Sequence, residues 1–223
     1  MLKIIGQSII DLLPFQQGIL FVLKESVAGR QVKISFYSFN PHTKSIASVT
    51  KNAYLLTKFG SGFEKIVPRL DDYISCTVQK LNDGSIFILY PGGEIGIFSD
   101  TGELLHTDNV SYNQTSIQDA AFDGENIWSV APDCNAIIRY NCMKKRIDLR
   151  LGDMDGGAFN CPVSIFTDTK TVYICCKNTK TVNTVSLNDQ STAVFRTFDE
   201  PIKQYLRVED CEFAVLPSGV YLL

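Results

Sequence analysis

The stretch AAFDGENIWSVAPDCNAIIRYNCMKKRI, residues 120–147, holds the only tryptophan of the chain, Trp128. It reads as a tight turn, a short apolar run, a polar break, a second apolar run and another polar turn. Runs of this length, rich in β-branched and aromatic residues and bounded by Gly, Asp and Asn, predict short antiparallel strands. A stretch of this kind is either a site of chemistry or one copy of a structural unit, and a search for self-similarity decides between them.

The frame around Trp128 is turn residue, spacer, aliphatic, aromatic: ENIW. It recurs as GILF ending at Phe21, GSIF at Phe87, KTVY at Tyr173 and SGVY at Tyr221, so the aromatics are spaced by 66, 41, 45 and 48 residues. Three of these steps match one four-stranded propeller blade. A second apolar run follows each aromatic of the first four units (VKISFY, EIGIF, AIIRY, TVNTV), then a polar turn and a short fourth run (IASVT, LLHT, IDLRL, AVFRTF). An inner run precedes each aromatic: SIIDLL, YISCTVQKL, SIQDAAF, CPVSIF and YLRVEDCEFAVL. The expectation is an all-β chain, a single β-propeller domain over residues 1–223 with five blades. A sixth blade requires that residues 52–72, NAYLLTKFGSGFEKIVPRLDD, supply strands. Gly60, Gly62 and Pro68 predict an ordered loop or short helix there instead, an insert whose shortening should do less to stability than deleting residues 1–6.

The last unit, read as two strands ending in GVYLL, leaves an apolar edge that would invite aggregation. The opening residues MLKIIGQ read as a strand plus a link. Ring closure is therefore predicted between Leu2–Ile5 and residues 220–223, making the fifth blade from residues 205–223 plus the N-terminal strand.

LGDMDGGAFNCPVSIFTDTKTVYICCKNTKTVNTVSL, residues 151–187, resembles the NHL repeat: a glycine-rich link, Phe and Pro, an inner strand, an aromatic second strand, a polar loop and a third strand. Gly152, Gly156, Gly157, Phe159, Pro162 and Tyr173 match that pattern. DGENIWSVAPDCNAIIRY is similar to blades of virginiamycin B lyase-like propellers. The resemblance implies the fold and little function, because its motifs are structural. The aspartate usual after the aromatic strand is replaced around Cys175 and Cys176, and the lyase's catalytic residues have no matching positions.

The net charge of −3 and a pI near 5.4 offer no general attraction for nucleic acid or an anionic membrane, and neither is expected as a partner. The densest basic cluster, MKKR, lies in a turn between strands and reads as a solvated tip. Gln7, Asp11, Gln16 and Gln17 interrupt the apolar N-terminus, so it is neither a membrane span nor an export signal. The seven cysteines lack zinc-site spacing, and only His42 and His106 could accompany them, so reduced thiols in a cytoplasmic chain are expected. No metal or cofactor is expected, and the glycines of GDMDGG read as a blade link rather than a calcium or phosphate loop.

No nucleophile triad, P-loop or dinucleotide fingerprint is present. The sequence offers two candidate sites. SIID and SIQD place Asp11 and Asp119 at matching positions on inner strands, and VEDCEF places Asp210 near the equivalent one. Inner strands line the central channel, where converging carboxylates suit a glycoside hydrolase or a lyase; hydrated, inert channel acids are the commoner outcome. The second candidate is the loop face, where blade-joining loops and loops between second and third strands meet. It carries Asp71, Asp72, Tyr112, Asn113, Asp133, Asn135, Asp153, Asp155, Lys177 and Asn178. The leading reading is a monomeric, non-enzymatic propeller that binds a protein or a small ligand through that face.

Overall fold

The computed structural model describes residues 1–27 and 31–223. A short strand, β1 (Leu2–Ile5), precedes the first blade, which is built from β2 (Ile9–Phe15), β3 (Gly18–Val27), β4 (Gln31–Asn40) and β5 (Ser45–Ser48). Two helices follow, α1 (Lys51–Phe59) and α2 (Phe63–Ile66), with a 3-10 turn at Val67–Arg69. The second blade is β6 (Thr77–Lys80), β7 (Ile86–Leu89), β8 (Glu94–Phe98) and β9 (Leu104–Asn109). A small hairpin, β10 (Ser111–Tyr112) and β11 (Thr115–Ser116), leads to the third, β12 (Ala120–Phe122), β13 (Asn126–Ala131), β14 (Ala136–Asn141) and β15 (Arg146–Gly152). The fourth comprises β16 (Pro162–Thr167), β17 (Thr171–Cys176), β18 (Thr181–Ser186) and β19 (Thr192–Thr197). The fifth combines β20 (Gln204–Val208), β21 (Cys211–Leu216) and β22 (Gly219–Leu222) with β1 as its outermost strand.

Closure follows the predicted pairing, with Leu2 opposite Leu222, Lys3 opposite Tyr221 and Ile5 opposite Val220. Gly219 makes it possible: its φ is +141°, and a Cβ there would sit 2.0 Å from the Ile5 carbonyl oxygen. One detail of the sequence reading changes. SGVY is the third strand of the last blade, not the second, and Phe213 of β21 is the buried second-strand aromatic. The run YLRVEDCEFAVL is two strands joined at Glu209 and Asp210, with Val208 paired to Cys211 across the turn. Asp210 is therefore an exposed turn tip, outside the channel.

The core is a set of inter-blade layers. Along β3, Leu20 and Val22 face the second blade, whereas Phe21 and Leu23 face the fifth, as strand alternation requires. Trp128 is 1% exposed between blades three and four, and its indole N–H donates to Asp123 Oδ2 at 2.6 Å. Phe87 fills the layer between blades two and three, and Tyr173 that between four and five.

The 52–72 segment forms helices, as expected, and it packs into the core. Tyr54, Phe59 and Ile66 are fully buried against Leu20, Val22, Ile88 and Phe98. Thr50 caps α1, accepting the Ala53 amide at 3.1 Å. Gly62 lies so close to the turn before β9 that a Cβ would meet the Gly102 nitrogen at 2.5 Å. Lys65 and Glu103 bridge the same junction at 2.6 Å. The burial of its aromatic face ties this segment into the core between blades one and two.

Candidate functional site

The inner strands of all five blades surround a central cavity of about 350 Å³, bordered by Asp11, Cys76, Thr77, Asp119, Ile165 and Gln204 among others. Two of the three acids proposed from sequence therefore meet in one cavity. Asp210 does not, for the turn geometry just described. Lys58 of α1 reaches the same cavity from the loop side, so the helix caps the channel at that end.

Asp11 is consumed by this cap. Lys58 Nζ donates to Asp11 Oδ2 at 2.7 Å, to the Ile74 carbonyl at 2.7 Å and to the Tyr54 hydroxyl at 3.2 Å. Tyr54 in turn donates to Asp11 Oδ2 at 2.6 Å. All three ammonium protons thus have acceptors, and the Lys58 side chain is 1% exposed. Burial, reinforced by the Asp11 charge, pushes the Tyr54 hydroxyl far above its ordinary range. Burial also lifts the neighbouring Cys76 thiol to about 11, which leaves it protonated and a poor nucleophile near neutral pH.

Asp119 is a clamp across three blades. It accepts the Thr77 hydroxyl at 2.8 Å from blade two, the Ser164 hydroxyl at 2.7 Å and the Ile165 amide at 3.0 Å from blade four, and the Ala120 amide at 2.9 Å. Burial raises its pKa, and the four donors offset only part of that shift. Neighbouring bonds serve the same purpose: Gln79 donates to the Ala120 carbonyl and Gln204 to the Leu12 carbonyl. The channel polar groups stitch inner strands together.

The loop face divides into residues that build it and residues that it displays. Asn135, in the left-handed conformation at φ +48°, donates to the Met154 carbonyl at 3.0 Å and accepts the Cys161 amide at 2.9 Å. Asn178 donates to Asn160 Oδ1, Asp153 accepts the Gly157 amide, and Asp72 accepts the Ile74 and Ser75 amides and the Ser75 hydroxyl. The Ser75 hydroxyl is the main reason that the Asp72 carboxyl lies below its usual range. Tyr112 is half-buried, with the Arg150 guanidinium 5.0 Å from its ring centre. Asp71, Asn113, Asp133, Asp155 and Lys177 are exposed, as are the bonded Asp72, Asp153 and Asn178. Asp71 and Asp72 also border a groove of about 580 Å³ shared with Arg69, Tyr90 and Glu94.

Sequence reasoning missed Lys58, Tyr54, Thr77 and Ser164. The first two carried a signal: Tyr54, Leu55, Lys58 and Phe59 share one helical face, which marks that face as buried. Thr77 and Ser164 carried none, since their role depends on inter-blade distance.

Five four-stranded blades around a channel, closed by strands from the two ends of the chain, define a five-bladed β-propeller, here capped by a helix. No protein-family model and no curated protein sequence matches the chain. Solved propellers do match it in structure. Sqt1 from Saccharomyces cerevisiae is 12% identical with a TM-score of 0.56, over 96% of this chain and 71% of that one. A catalytically inactive virginiamycin B lyase from Staphylococcus aureus with quinupristin is 8% identical with a TM-score of 0.53, over 97% and 84%. The RRP9 WD40 repeats are 13% identical with a TM-score of 0.52, over 94% of this chain but 58% of that one, so the chain spans about three fifths of that structure's length. At such identities the likeness establishes the fold.

Proposed function

We propose that this chain is a non-enzymatic binding scaffold whose loop face engages a protein partner or a small ligand, as a cytoplasmic monomer. One contrast carries the reading: the channel acids are spent on internal bonds, while Asp71, Asp133, Asp155 and Lys177 stand exposed on a face whose backbone is tied down by Asn135 and Asn178. Loops fixed by a rigid scaffold recognise partners without a large ordering cost. The structural likeness to WD40 repeats and the NHL-like pattern of blade four fit a scaffold. Among the described residues no helix is long and apolar enough to cross a membrane, and no group of His, Cys, Asp or Glu is arranged to hold a metal.

A second reading, hydrolase or lyase, draws on one observation: Asp11 and Asp119 border the same cavity. Two measurements separate the readings. Immobilised wild-type chain is compared with a variant carrying lysine at Asp71, Asp133 and Asp155 for stoichiometric retention of a species from soluble extract, and the wild type is screened for turnover of glycosides and lactones. The scaffold reading expects a retained species lost in the triple variant and no turnover. Turnover abolished by Asp119→Asn in a variant that still folds would replace it with the enzymatic reading.

A further inference from the structure

The central cavity has the form of a blind well. Each inner strand runs from the blade-joining loops toward the opposite end of the ring, so residue order along these strands gives depth in the channel. Asp11, Thr77, Asp119 and Gln204 border the end closed by α1. Leu13, Pro14, Lys80 and Phe166 border the other end, where Pro14 and Lys80 are exposed. From Thr77 to Lys80 is a short strand length, about 10 Å. The volume of about 350 Å³ suits one small molecule.

Below α1 the wall has spent its donors and kept acceptors. Lys58 gives its protons to Asp11, Tyr54 and the Ile74 carbonyl. Thr57 donates to the Ala53 carbonyl, the Cys76 thiol to the Asp72 carbonyl and Thr77 to Asp119. Gln79 and Gln204 each commit the amide nitrogen to a carbonyl, that of Ala120 at 3.0 Å and that of Leu12 at 3.3 Å. Those bonds orient both amides, because the flipped forms would set oxygen against oxygen. Their Oε1 atoms then have no partner among the described residues, and Asp11 Oδ1 accepts only the Leu12 amide. Both glutamines are half-buried and border the well, so these oxygens are open to what enters it. Lys58 offsets only one of the two carboxylates, Asp11 and Asp119, at the closed end.

We propose that this well binds a primary ammonium carried on a short apolar chain, with its head toward α1. The ammonium brings three donors to a wall whose free groups are acceptors, those of Asp11, Gln79 and Gln204, and its charge meets the carboxylate that Lys58 leaves unbalanced. The apolar chain lies along Leu13, Pro14 and Phe166. An alcohol offers one donor and no charge, and a carboxylate offers neither. Lys80 at the open end opposes a second ammonium there, which selects a monoamine over a diamine of the same length. The well opens away from the loop face, and its ligand binds whether or not that face engages a partner.

Hexylammonium, whose length matches the well, is the probe, titrated into the full chain at neutral pH beside hexanol, hexanoate and the α,ω-diamine of the same length. NMR should show the side-chain amides of Gln79 and Gln204 shifting saturably with hexylammonium, and calorimetry should give a single site. Hexanol and hexanoate should bind about tenfold more weakly or worse, since each lacks the charge and the donors. The diamine should bind about fivefold more weakly, and Lys80→Gln should close most of that gap by removing the like charge. Lys80 is exposed, so this variant keeps its fold, and an unchanged melt verifies it. Gln79→Met keeps the side-chain length without the acceptor and should weaken hexylammonium about fivefold while leaving hexanol unaffected. Three results overturn the proposal: no saturable shift of the two glutamine amides, hexanol or hexanoate binding as tightly as hexylammonium, or a diamine affinity indifferent to Lys80→Gln. The wild-type comparisons decide the matter even where Gln79→Met does not fold.

Discussion

Replacing Asp119 by alanine tests whether the channel acid is a clamp. The substitution removes one carboxylate and strands four donors: the Thr77 and Ser164 hydroxyls and the Ala120 and Ile165 amides. The hydroxyls can rotate toward water or a carbonyl, but the amides are fixed by their strands. Bonds to a charged acceptor are worth about 1.5–3 kcal/mol each, and a buried donor left unpaired costs about 1–3 kcal/mol. Relief of the carboxylate's own burial penalty, visible in its raised pKa, offsets part of this. The net expectation is a loss of about 3 kcal/mol, or a fall in Tm of roughly 6–12 °C for a chain of this size. Calorimetry and urea titration at pH 7 measure it. The raised pKa adds a sign. The folded chain holds the Asp119 proton more readily than the unfolded chain, whose carboxyl titrates near 3.8. The stability due to that proton is full below 3.8 and is lost as pH rises through the higher folded value. Asp119→Asn, which cannot titrate, should lack that slope. A melt of Asp119→Ala within about 2 °C of wild type would refute the clamp.

Deleting residues 1–6, or Gly219→Ala, should detach β1 from β22, lower Tm and raise light scattering on heating, because each removes the pairing that covers the edge of the last blade. An unchanged melt would mean that the ring does not depend on this strand. Excising residues 52–69 should prevent soluble expression, since Tyr54, Phe59 and Ile66 each contribute about 2–3 kcal/mol by burial; a soluble, cooperatively melting product would contradict that. Lys58→Met should cost about 3–5 kcal/mol by leaving the Asp11 charge without its counter-ion, and adding Asp11→Leu should recover most of it. Equal destabilisation in the single and double variants would show that the ion pair is not the cause. Lysine at Asp133 and Asp155 should leave Tm within about 1 °C, because both are exposed; a larger fall would assign them to loop architecture rather than recognition.

The sequence by itself determined the repeat, and with it the fold. Strand periodicity, turn residues and aromatic spacing are local properties, so they were legible for four of the five blades around Phe21, Phe87, Trp128 and Tyr173. Closure was legible too, because an uncovered apolar strand at each end of the chain has one economical solution. The last blade was misframed because SGVY has the same local grammar as GSIF. Only the pairing of Val208 with Cys211 reveals that Glu209 and Asp210 form a turn and that Phe213 fills the second-strand position. The sequence likewise identified Asp11 and Asp119 but not what they do. A carboxylate's role is set by which donors lie within about 3 Å of it. Here those donors are Lys58, Tyr54, Thr77, Ser164 and Ile165, from 42 to 47 residues away along the chain. The tertiary structure alone brings them together, because the ring sets each inner strand beside those of its neighbours and the helical segment folds back over the channel that they enclose.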